Sequence, residues 1–230
     1  MNRAPTMKIA DNVKEILVKL PVGCGLVAAA KSRSPAEILE VVEAGVKIIG
    51  ENYQQEAESH FQAVGRKVSW HFIGHLQKNK IKKAVALFDL IETVDSPETA
   101  AEIDRRSKAI GKKMEIFVEV NSGKEPQKFG LMPEEVKPFL TKISELSNIK
   151  VLGLMTMGPA LGNPEDLRPY FKVTRLLWEE LKSFDSPNAE MRYLSMGMSD
   201  SYLAAIEEGS NLVRIGAGIF GPRPVNLQKL

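Results

Sequence analysis

Short apolar runs alternate along the whole chain with segments whose apolar residues recur at helical spacing. The runs are LVAAA (26–30), KIIGEN (47–52), WHFIG (70–74), LIETV (90–94), EIFVEV (115–120), VLGLMTM (151–157), RYLSMG (192–197) and LVRIGAGIF (212–220). Helical periodicity is predicted over about residues 7–20, before the first run, and again between runs. Entry signals mark several of these helices: Ser34-Pro35, Asp95-Ser96-Pro97 and Pro133, with a further helical pattern over 164–184. A hydroxyl or carboxylate cap followed by proline in the first turn satisfies the free N–H groups of a helix start. Gly45 and Gly111 stand where two of these helices should stop.

Strands that are apolar throughout, each followed by a helix, make a parallel sheet covered on its faces. An open doubly wound sheet and a closed barrel both fit that alternation. Eight units in 230 residues favour the closed (β/α)8 barrel, here with an additional N-terminal helix. No linker or composition shift divides the chain, so residues 1–230 are expected to form a single domain.

Composition changes this picture little. Hydrophobic residues make up 43% and charged residues 26%, with a formal net charge of +2. A strong nucleic-acid or anionic-membrane footprint is absent at that level. The basic cluster KNKIKK (78–83) has no stacking aromatics and reads as a solvated helix face. Cys24 is the single cysteine, so a reducing, cytoplasmic location is expected; within its apolar run it reads as a small hydrophobe. No run approaches the roughly 18–20 apolar residues of a spanning helix, and the N-terminus is too charged for a signal peptide.

In such barrels chemistry gathers where the strands end. Those ends carry Lys31, Glu51 and Asn52, His75 to Gln77, Asn121, Thr156, Ser195 to Ser199 and Arg214 to Gly218. Closing the barrel sets strand 8 against strand 1, so Lys31 and Arg214 should be neighbours. Alternation turns Leu212 and Arg214 inward and Val213 and Ile215 outward. A nearby cation makes a partly desolvated amine a better nucleophile toward a carbonyl. Gly216 and Gly218 let backbone N–H groups approach an anion, and Ser195 and Ser199 add hydroxyls. Amine, guanidinium and phosphate cradle together suit pyridoxal 5′-phosphate (PLP), an aldehyde that carries a phosphate. Each residue alone also admits a structural role. A strand-end lysine can be merely solvated, the glycines can turn a corner, and Arg214 can pair with Glu51 or Glu119.

Metal is not expected. His71 and His75 lie on one predicted strand, where four residues span about 13 Å, too far for one ion. His60 sits on a predicted helix without an evident partner. The end of strand 6, Met155 to Met157, reads as barrel lining.

Seven segments, in order across nearly the whole chain, resemble the pyridoxal phosphate homeostasis protein family, relatives of the alanine racemase N-terminal domain. They are AAAKS (28–32), IIGENYQQE (48–56), WHFIGHLQKNK (70–80), KFGL (128–131), GLMTM (153–157), LSMGMSDS (194–201) and VRIGAGIFGPR (213–223). The resemblance implies a barrel like that of fold type III PLP enzymes, with PLP held as a Schiff base on Lys31. It further implies Asn52 near the ring and Arg214 at the pyridine nitrogen. Ser199 would hold the phosphate with the backbone of Gly216, Ala217 and Gly218. Many members have Thr or Ser where this chain has Ala217, so one hydroxyl contact is missing. An arginine cannot take up the pyridine proton that makes PLP a strong electron sink, and no second domain is expected. A PLP holder active in intracellular homeostasis is therefore expected, without a catalytic residue. The alternative is an amino-acid racemase or other fold type III PLP enzyme. Expected partners are PLP and PLP-dependent apoenzymes, with no nucleic acid and no membrane, and the protein is expected to be a monomer.

Overall fold

The eight apolar runs pair side by side in chain order, and the last returns to the first. The computed structural model describes residues 9–222. Its strands are β1 (Gly25–Ala29), β2 (Ile48–Glu51), β3 (Ser69–Phe72), β4 (Leu90–Val94), β5 (Met114–Glu119), β6 (Ile149–Met155), β7 (Ala189–Ser195) and β8 (Leu212–Ile215). They form a closed barrel in the order β1 to β8, with β1 parallel to both β2 and β8. The expected (β/α)8 barrel is the observed one. The first two positions expected of the N-terminal helix, and Arg223, lie outside the described residues.

The helices that cover the barrel are α2 (Pro35–Glu43), α3 (Gln54–Val64), α4 (Ile81–Leu87), α5 (Pro97–Ala109), α6 (Val136–Ile143), α7 (Arg168–Leu181) and α8 (Tyr202–Glu207). The N-terminal helix, α1, runs Ile9–Lys19, and a one-turn helix, α9 (Ala217–Phe220), follows β8. Ser34 and Ser96 cap α2 and α5 through their side chains, each cap contributing about 1 kcal/mol. Tyr53, Lys80 and Ser201, which precede α3, α4 and α8, make no side-chain cap bond.

Two apolar layers result from the alternation of side chains. Val27, Leu90, Phe117, Leu152, Met155 and Leu212 fill the barrel. The outer layer, between strands and helices, takes Ile49, Trp70, Ile91, Val118, Leu154, Leu194, Val213 and Ile215. Strand contact is closest at Gly153, where an added Cβ would stand 2.0 Å from the Tyr193 carbonyl oxygen. Only glycine fits there.

Several expected boundaries move, and the following ones matter at the mouth. The run LVRIGAGIF is not one strand: β8 stops at Ile215, and Ala217–Phe220 turn into α9. β3 stops at Phe72, so Gly74 and His75 belong to the following loop. β6 stops at Met155, leaving buried Thr156 and half-exposed Met157 beyond it.

Candidate functional site

Lys31 lies two residues past the end of β1. The loop that carries it is held from below. Ser32, at a φ of 61°, donates its N–H to Glu56 Oε2 at 2.9 Å. The Lys31 ammonium stands 5.1 Å from the centre of the Tyr53 ring and opens onto a pocket of about 330 Å³ that Asn52, Phe72 and His75 also line. Asn52 follows β2 directly, and its backbone packs against Gly74, where a Cβ would meet the Asn52 carbonyl at 2.4 Å.

Arg214 points into the barrel, as the alternation predicts, and is 4% exposed. It stands opposite Val27 in the β1–β8 register. The strands are neighbours as expected, but the two cations take different partners. Arg214 Nη1 donates to Ser195 Oγ at 2.5 Å and Nη2 to the Thr156 carbonyl at 2.9 Å. Glu92 Oε2 lies 3.8 Å from Nη1. Neither Glu51 nor Glu119 is the ion-pair partner anticipated for it.

Glu92 is fully buried. It takes a 2.8 Å bond from His71 Nδ1 and a 2.7 Å bond from the Ser195 hydroxyl. Burial opposes its charge, but the His71 bond and the charges of His71 and Arg214 outweigh it, holding the carboxyl below its usual range. The group was missed in the sequence, although LIETV signals it: Leu90 and Glu92 alternate onto the inner face. Ser195 needs correction too. Its hydroxyl is buried between Glu92 and Arg214, away from the phosphate cradle expected of it.

Ser199 lies in the loop between β7 and α8. The N–H groups of Gly216 and Gly218 converge on its Oγ at 3.3 and 3.0 Å. Gly216 approaches β1 so closely that an added Cβ would stand 3.3 Å from the Ala29 carbonyl. Ala217 and Gly218 are exposed at the same end of the barrel. The structure thus gathers Ser199, Gly216, Ala217 and Gly218 at the exit of β8, beside the strand that leads to Lys31.

Across the mouth, the β5 loop leans over the opening. Phe129 stacks on His75 with ring centres 3.7 Å apart and planes 16° from parallel. Beside it Glu119, Asn121, Lys128 and Met157 line a second pocket of about 260 Å³. Burial, reinforced by Asp95 and opposed by Arg214, pushes the Glu119 carboxyl up to about 7.

His60 finds the partners the sequence did not supply. Nδ1 lies 2.6 Å from Glu51 Oε1, and Nε2 donates to the Arg33 carbonyl at 2.9 Å. Burial opposes a charge on His60, but the bonds to Glu51 and Arg33 outweigh it, so its pKa is raised. Burial raises the Glu51 carboxyl as well, against the lowering effect of the His60 bond. Among the described residues no three His, Cys, Asp or Glu side chains gather as metal ligands, and no helix is long and apolar enough to cross a membrane. Cys24 precedes β1 and is half-buried, not enclosed in a strand.

Residues 6–224 match the family described as alanine racemase, N-terminal domain. A pyridoxal phosphate homeostasis protein of Aquifex aeolicus (strain VF5) is 42% identical over 199 residues, which is 86% of either chain. Among solved structures, PipY of Synechococcus elongatus PCC7942, with PLP bound, superposes with a TM-score of 0.85 at 30% identity. That match covers 93% of this chain and 100% of the other. An alanine racemase of Clostridium difficile 630 superposes with a TM-score of 0.81 at 16% identity, covering 96% of this chain and 58% of that one. The last is a likeness of fold.

Proposed function

Because the chain belongs to the pyridoxal phosphate homeostasis protein family, built on the alanine racemase N-terminal domain, we propose that it binds PLP at this mouth and takes part in intracellular PLP homeostasis. The observation that carries the reading is the convergence of the Gly216 and Gly218 N–H groups on one oxygen, Ser199 Oγ, at the strand next to the one that presents Lys31. That arrangement fits the oxygens of a phosphate. When bound, PLP supplies an aldehyde for an amine to capture and a ring that can draw off electrons.

Lys31 is the capturing amine in this reading. Asn52 flanks the ring, and Gly216, Ala217, Gly218 and Ser199 hold the phosphate. Arg214 would meet the pyridine nitrogen from inside the barrel. Its guanidinium is a donor only and cannot take up a proton, and Ser195 and the Thr156 carbonyl fix its plane. It therefore leaves the ring nitrogen unprotonated and the ring a weak electron sink. The protein then holds and hands on PLP, with PLP-dependent apoenzymes as recipients, and performs no turnover of its own. Its half-buried lone cysteine suits a reducing cytoplasm, a monomer is sufficient for the site, and neither nucleic acid nor membrane is a partner.

One observation favours the enzyme alternative. Glu119, up to about 7, is a carboxyl at the mouth in the range of a general acid. Purified protein loaded with PLP should nevertheless racemise alanine at background rate. Turnover on the order of 1 s⁻¹ or more would make it an enzyme.

The cradle is tested by titrating PLP against pyridoxal, which lacks the phosphate. Hydrogen bonds to a charged group contribute about 1.5–3 kcal/mol each, so the wild-type protein should prefer PLP by at least about tenfold. Ser199→Ala should lose part of that preference. Equal affinity for the two ligands would mean that the strand-8 glycines hold no phosphate.

A further inference from the structure

Arg33 is two residues beyond Lys31, and its side chain is 6% exposed. Its guanidinium reaches across to α9, donating from Nη1 to the Phe220 carbonyl at 3.2 Å and from Nη2 to the Gly221 carbonyl at 2.6 Å. It also lies over the Phe220 ring, 5.1 Å from its centre, and 3.5 Å from Glu37. Its own carbonyl is held from the other side by His60. A buried arginine that spans two carbonyls in a planar fork fixes both ends of what it joins.

What it joins are the two halves of the proposed site. One end is the Lys31 loop. The other is the single turn whose opposite end bears Gly216, Ala217 and Gly218. A four-residue turn has no length of helix to hold it in place, so its direction depends on what grips its last carbonyls. Asn12, from α1, grips the Ile219 carbonyl at 2.8 Å. Arg33 grips the next two and is the bond that runs to the lysine loop.

We infer that Arg33 is a positioning residue for phosphate recognition, aiming the Gly216–Gly218 backbone relative to Lys31 without touching the ligand. The inference rests on the reading that the phosphate lies at that backbone. Truncating the side chain frees the turn yet leaves the Arg33 carbonyl on His60, so the Lys31 loop keeps its anchor. The loss should therefore fall on the phosphate and not on the aldehyde.

The test titrates PLP and pyridoxal against wild type, Arg33→Ala, Arg33→Lys and Asn12→Ala. The ratio of the two affinities is read within each variant, so a change in the folded fraction cancels. Arg33→Ala should reduce the preference for PLP by about tenfold with pyridoxal affinity nearly unchanged. Arg33→Lys, with a point charge that reaches one carbonyl, should recover part of it. Asn12→Ala should lose less, since Arg33 still holds the turn. If Arg33→Ala fails to fold, the smaller loss in Arg33→Lys carries the test. A wild-type preference that survives both Arg33 variants overturns the inference alone, as does an equal loss for both ligands. No preference in the wild type overturns the phosphate reading and this inference with it.

Discussion

Lys31→Ala should abolish the absorbance near roughly 420 nm that develops when the wild-type protein is mixed with PLP, an expectation from imine chemistry at a lysine nucleophile. The Lys31 amine lies at the pocket mouth beside Tyr53 and Asn52, and its loop is pinned through Ser32 to Glu56 and through Arg33 to His60. No neighbouring lysine has that combination. Lys80 lines the same pocket, and Lys128 is tied to Glu125 at 2.6 Å. The cradle of Ser199, Gly216 and Gly218 is untouched by the substitution, so the variant should still bind PLP, weakly and without the absorbance band. Circular dichroism should match wild type, because the side chain packs in no apolar layer. A full-strength band in Lys31→Ala would move the covalent anchor elsewhere.

Glu92→Ala should destabilise the fold by about 3–5 kcal/mol, the cost of leaving a buried charge without its partner. Arg214 is 4% exposed, and Glu92 is the carboxylate that faces it inside the barrel at 3.8 Å. Removing it also strips His71 Nδ1 and the Ser195 hydroxyl of their acceptor. Glu92→Gln keeps a side chain of the same shape and should cost less. The two separate in urea-induced unfolding of the protein without ligand. The pH dependence has a definite sign. The native Glu92 pKa is depressed, so its contribution is fully present above the unfolded carboxylate value of about 4.3 and fades as pH falls through the lower native value. Wild type should lose that stability in acid, and Glu92→Gln should show a flatter profile there. A Glu92→Ala protein as stable as wild type would mean that Arg214 is neutralised by something other than this network.

Much of the barrel is legible because most of its strands are short, largely apolar runs and its helices are amphipathic. Counting runs of that kind found all eight strands, and closure then set β8 beside β1. What local pattern could not supply was where a strand stops. LVRIGAGIF reads as one run because Ile219 and Phe220 continue the apolar pattern past the glycines, yet β8 stops at Ile215 and the chain turns into α9. The same ambiguity misassigned Ser195. LSMGMSDS holds three serines, Ser195, Ser199 and Ser201, and whether the first is inside depends on whether β7 closes before or after it. Ser199, four residues on, was safe from that error because it lies beyond any plausible end.

Partners across the fold were less legible than positions. His60 looked solitary because Glu51 is on the neighbouring strand and the Arg33 carbonyl is in a loop, and neither pairing leaves a local trace. Arg214 was read correctly as inward, yet its carboxylate was sought among strand-end residues. Glu92 sits in the middle of β4, and it meets Arg214 through the closed barrel's interior. The signal was present in the alternation of Leu90 and Glu92. A charged residue on the inner face of an apolar strand calls for an opposite charge somewhere within the same barrel.

In the proposed function the chain holds PLP covalently through Lys31. Mixing the protein with PLP, reducing with borohydride, digesting and mapping the modified peptide by mass spectrometry tests it most directly. The account predicts that the added mass falls on the peptide containing Lys31. An adduct found instead on Lys80 or Lys128, with Lys31 unmodified, would contradict it.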